Sequence, residues 1–172
     1  MAQHIPQSTD ELLRRWHRRL RVSQTAHYEA AKPLSRANYI LGVPVALLSA
    51  LVGTSVFATL EASPDTRVKI AIGAASLLAA TLSGLQTFLR FDERAEKHRT
   101  VAARCGKLVR QIEQIIATSS SSSSEVSEEI LTSLREAYDK ITEDAPKTSS
   151  KMYQRAHKIL QIQIEEADES EA

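Results

Sequence analysis

His98 and Cys105 stand seven residues apart on what reads as one helical face, a spacing at which two copies of the chain could share a metal ion. A lone His and a lone Cys inside an apolar stripe are more often packing residues than ligands. Cys105 is the only cysteine, so neither an internal disulfide nor a cysteine-based zinc cluster can form. Glu93, Glu96 and His98 are close in sequence, but their directions around a helix diverge, so they make no acid–base set. There is no Gly-rich phosphate loop, no zinc signature and no nucleophile elbow. Seven Lys and Arg between residues 90 and 110 could attract nucleic acid. Spaced around a helix beside an apolar segment, they fit membrane topology and headgroup contact better. The expectation is a non-enzymatic chain with no metal, no cofactor and no specific nucleic-acid partner.

The elements that would position any chemistry are hydrophobic. Ala37 to Leu60 and Ile70 to Leu89 carry no charged residue. At ~1.5 Å rise per residue, 20 helical residues reach ~30 Å, the thickness of a bilayer's hydrocarbon core. A soluble core helix is polar on one face, and these are polar on none. Between them, Glu61, Asp65, Arg67 and Lys69 surround Pro64 in a short polar turn, which predicts an antiparallel hairpin with spans at 37–60 and 70–89.

Charge sets the expected topology. Residues 1–36 hold seven Lys/Arg against three Asp/Glu, residues 90–117 seven against four, and residues 118–172 six against twelve. Basic flanks retained on the inner side predict cytoplasmic N- and C-termini with the loop outside. Those flanks would also meet anionic headgroups of the bilayer.

Outside the spans the pattern is helical. Ser8 and Glu11 fit a capping box before a helix over about 9–31, after a frayed 1–7. Its less polar stripe runs Leu13, Trp16, Leu20, Ser23, His27, Ala30, Leu34, which suits a helical bundle better than a membrane surface. Lys32-Pro33 predicts an interruption or restart. The second span predicts one unbroken helix from 70 to 117, its cytoplasmic part 90–117. The stripe Phe88, Phe91, Ala95, His98, Ala102, Cys105, Val109, Ile112, Ile116 steps by three and four and needs a partner. Either the N-terminal helix or a second protomer would serve, and the stripe is our candidate oligomerisation seam. A Ser-rich linker, 118–124, precedes a cap at 122–125 and two C-terminal helices over 125–172 with an acidic end.

Small residues recur at every fourth position in both spans: Gly42, Ala46, Ala50, Thr54, Ala58 and Ala71, Ala75, Ala79, Ser83. Membrane helices associate through such ridges, because side chains gain nothing by hiding from lipid. Ser and Thr hydroxyls in the spans would line an aqueous path or bond back to their own helix. With no charge in either span, a midplane proton relay or ion site is disfavoured.

NYILGVPVALLSALVGTSVFATL, followed by GLQTFLRFDERAEKHRTVAARCGKLVRQIEQ, resembles the SLATT family, the SMODS- and SLOG-associating two-transmembrane effector domains. The resemblance covers roughly residues 8–117, with FLRFDERAEKHR at 88–99 its most specific part. It implies a membrane effector of prokaryotic conflict systems that oligomerises and perturbs the membrane, as a pore, on signal from a nucleotide-sensing or nucleotide-synthesising partner. The expected fold is all-α, a two-span transmembrane hairpin with long cytoplasmic helical extensions. The alternative is a scaffold whose cytoplasmic coiled rod recruits a partner without permeabilising anything.

Overall fold

The computed structural model describes residues 6–61, 65–122 and 126–171, and all regular structure among them is helical. The helices are α1 (Thr9–Glu61), α2 (Thr66–Leu89), α3 (Phe91–Ser122), α4 (Glu128–Asp144) and α5 (Ser150–Glu171). They form two compact units: Lys32–Ala95, the hairpin unit, and Met1–Ala31 with Glu96–Ala172, the bundle unit.

The ends of the helices follow from local chemistry. The Glu11 amide donates to Ser8 Oγ at 3.2 Å, and the Glu11 carboxylate accepts from the Gln7 amide at 2.9 Å. This is the expected box, shifted one residue at its return bond. α4 is capped by Ser127, whose hydroxyl accepts from Glu129 N at 3.3 Å; the cap expected over 122–125 lies largely outside the described residues. Ser127 is better placed, because Glu128 and Glu129 then fill the first turn against the helix dipole. Asp144 ends α4 because Ala145 precedes Pro146 and is held extended, at φ −71° and ψ 127°.

Three boundaries differ from expectation. α1 runs through both Pro33 and Pro44. A proline inside a helix removes one hydrogen bond, which a helix of 53 residues can absorb. α3 continues through Ser122, so much of the serine run is helical; the remainder, 123–125, lies outside the described residues, as do 1–5 and the turn residues 62–64. The helix expected to run unbroken from 70 to 117 is divided at Arg90, which sits in the left-handed region at φ 46° and ψ 44°. The backbone bonds nevertheless continue past it, from Arg90 N to Gln86 O and from Arg94 N to Arg90 O. No Gly or Pro marks the position, and Arg90 pairs with Glu93 one turn on.

In the bundle unit the N-terminal part of α1 covers the stripe of α3. Leu13 and Leu20 share one core with Val101, Cys105, Leu108, Val109 and Ile112 of α3 and with Leu134 and Ile141 of α4. A fully buried Leu or Ile contributes about 1.5–3 kcal/mol, so this core is the main support of the unit. α5 adds Ala156, which is fully buried. α1 and α3 approach closely at Gly106, where an added Cβ would lie 2.6 Å from Gln24 Nε2.

Candidate functional site

The hairpin unit holds the two apolar helices. None of the most apolar 18-residue window of the first and 6% of that of the second is buried within the chain. Core helices of a soluble protein would be covered. Here Ile40, Leu47, Leu51, Leu77 and Leu78 stand exposed, the disposition expected where lipid is the solvent.

The two helices meet along a face that the four-residue ridges only partly describe. Ala79 is buried, Gly42 and Ala75 are half-buried, and Ala46, Ala50, Thr54, Ala71 and Ser83 are exposed. The side chain of Ala58 lies outside the described residues. The physical reason is helical pitch. Each four-residue step turns about 400°, so five positions wind through about 160° and cannot all face one neighbour. At the contact an added Cβ on Gly42 would lie 3.0 Å from Gln86 Nε2, which donates to Asn38 Oδ1 at 3.2 Å. The amide therefore bridges the hairpin, and Gly42 makes room for it.

Hydroxyls in the spans bond back to their own helices. Thr54, Ser55, Ser76, Thr81 and Thr87 donate to carbonyls three or four residues earlier, at 2.7–3.0 Å. These bonds satisfy the hydroxyls without water.

In the bundle unit the stripe residues Ala102, Cys105, Val109 and Ile112 are buried, and Ile116 is half-buried. Ala95, at the edge of the hairpin unit, is buried, Phe91 is half-buried, and Phe88 is 82% exposed. From His98 onward the stripe packs within a single chain. A lone helix with this stripe would look the same whether its cover came from α1 or from another copy.

His98 has a partner that the sequence reading missed. Its Nδ1 lies 2.9 Å from Nδ1 of His27, both rings are buried, and their centroids are 5.1 Å apart. Each His is the only histidine of its own stripe, and matching those two positions would have indicated the pair. One ring must donate and the other accept. Burial, and then the neighbouring His98, push the His27 pKa down to about 4. Cys105 lies 3.9 Å from Ser23 Oγ, and burial raises its pKa, so the thiol stays protonated. Glu93 pairs with Arg90 and Glu96 with Arg99, so Glu93, Glu96 and His98 turn to three different partners. Glu29, only 6% exposed, is held by Arg155 of α5 at 3.4 Å. Among the described residues no cluster of three or more His, Cys, Asp or Glu could hold a metal ion.

A two-helix apolar hairpin continuous in sequence with a helical bundle defines a two-transmembrane protein with a folded helical partner unit. The chain belongs to family 4 of the SMODS and SLOG-associating 2TM effector domains, whose family model matches residues 10–171. The match extends past residue 117 through α4 and α5, which pack with α1 and α3 in the same bundle unit. No curated protein and no solved structure matches the chain.

Proposed function

We propose that the protein is a non-enzymatic membrane effector that oligomerises and permeabilises the bilayer. It acts in a prokaryotic nucleotide-signalled defence or conflict system, where a nucleotide-sensing or nucleotide-synthesising partner triggers it. Family membership supports the effector role. One observation carries the rest: the apolar faces of both hairpin helices are uncovered within the chain. Two helices cannot enclose a water-filled path, so permeation requires several copies around one axis. The exposed small residues Ala46, Ala50 and Thr54 offer a surface for close approach between copies. The stripe from His98 to Ile112 already serves the bundle, so in this reading assembly uses the hairpin. In this reading both termini lie on the cytoplasmic side, which the basic flanks support.

The back-bonded hydroxyls favour a second reading, a scaffold that never conducts. Ion flux from liposomes holding the purified protein separates the two. Leak that rises with protein-to-lipid ratio supports the effector. Sealed liposomes with and without the activating partner overturn it.

A further inference from the structure

We propose that the bundle unit binds a small organic phosphate in the cavity lined by α1, α3, α4 and α5. The cavity encloses about 430 Å³, within the range of about 300–1,000 Å³ typical of small-molecule sites. Arg18, Arg19 and His27 of α1 and His157 of α5 line it, and no Asp or Glu does. A cavity lined by Arg104, Lys107 and Lys140 likewise lacks a lining carboxylate, but its arginine pairs with Asp144 at 2.7 Å. Four residues before Arg18, Arg14 pairs with Asp10 at 2.7 Å, and Arg155 of α5 pairs with the buried Glu29. Arg18 and Arg19 make no ion pair among the described residues. Arg18 and Arg19 are exposed and neighbours in sequence, and an anion in the cavity would bring a counter-charge to each. Guanidinium matches phosphate oxygens two at a time. Two arginines call for more than the single charge of a carboxylate.

The remaining wall specifies the organic part. Tyr138 and Tyr153 give ring faces and Ile141 an aliphatic one, so the body of the ligand is apolar or aromatic. A second cavity of about 490 Å³ between α1 and α5 shares Arg18, Val22 and His157 with the first and is likewise lined by no carboxylate. A longer ligand could extend into it. The phosphate could belong to a soluble metabolite or to a lipid headgroup. Phosphate binding at this cavity is separate from pore formation and is read by titration alone.

Trp16 is the chain's one tryptophan, and its ring centroid lies 6.4 Å from that of Tyr138, so its fluorescence reports on the cavity. The test titrates the full detergent-solubilised chain with phenyl phosphate. The expected result is a saturable fluorescence change with a midpoint below ~1 mM. That midpoint should weaken about tenfold or more in Arg18→Ala/Arg19→Ala, a loss of about 1.4 kcal/mol. It should stay in place in Arg135→Ala/Lys151→Ala, which removes the same charge elsewhere. A response only to added dioleoylphosphatidylglycerol assigns the phosphate to a headgroup. No saturable response to either probe, or equal weakening in both double variants, overturns the site.

Discussion

Nδ1 of His27 and Nδ1 of His98 lie 2.9 Å apart inside the bundle, joining the first helix to the third. The contact works when one nitrogen carries a proton and the other does not. Two protonated rings would bring two N–H groups head to head.

This geometry gives the fold a pH limit. His27 keeps its proton off down to about pH 4, whereas an unfolded chain takes it up near 6.5. Between those values the unfolded state binds more protons, so stability falls as pH falls. The contribution is fully present above about 6.5 and lost by about 4, amounting to ~3 kcal/mol. Arg18, Arg19 and His157 line the cavity beside the ring and no carboxylate does, so nothing there stabilises an imidazolium. Thermal midpoints between pH 7 and pH 4.5 should converge for wild type and His27→Gln as acid is added. Parallel curves would mean the pair is not the titrating element.

Arg90 makes a prediction whose sign is opposite for two structures. In a helix interior Ala is more stable than Gly by about 1 kcal/mol. In the left-handed region a Cβ is unfavourable by roughly 1–2 kcal/mol, and Gly escapes that strain. With φ at 46°, Arg90→Gly should therefore be at least as stable as Arg90→Ala. Denaturation of the two variants in the same detergent decides it. Ala ahead by the interior margin would restore a continuous helix from α2 into α3.

Gly42 and Gly53 lie on the same helix in different surroundings. A Cβ on Gly42 meets Gln86 at 3.0 Å, and one on Gly53 meets nothing within 4 Å. Gly42→Val should displace the amide that bridges to Asn38 and lower the melting midpoint by several degrees, since bridging hydrogen bonds in membranes average about 0.6 kcal/mol before the packing loss. Gly53→Val should melt like the wild type. Equal effects would show that propensity alone was measured.

These particulars show what the sequence discloses. The spans are legible because neither carries a charge, and an uncharged stretch of that length has few homes but lipid. The α3 stripe is legible from its three-and-four spacing, but its cover is not, since α1 and a second copy would leave the same pattern. Leu13, Leu20 and Ile112 could be matched only in three dimensions. Arg90 is invisible because Arg carries no signal for a left-handed residue. The ridges are legible as four-residue repeats, but such a repeat winds on a helix, so which of its residues meet within one chain emerges only in three dimensions. Arg18 and Arg19 read as topology charges, and that they line a cavity with residues of α4 and α5 emerges only in three dimensions.

The two ridge alanines separate hairpin packing from assembly. Ala79 is buried between the helices of one chain, and Ala50 faces outward. Leucine at Ala79 must push the two helices apart, since overpacking a contact is unfavourable by about 1–3 kcal/mol, so Ala79→Leu should lower the melting midpoint of the detergent-solubilised monomer. Ala50→Leu adds bulk where the single chain has nothing to clash with, so its monomer should melt normally. If copies approach through the outward ridge, the same change blocks them, and chemical crosslinking in lipid should yield fewer high-mass bands for Ala50→Leu than for wild type. An unchanged ladder would move the contact between copies to another face, with the exposed Phe88 side of α2 the next to test.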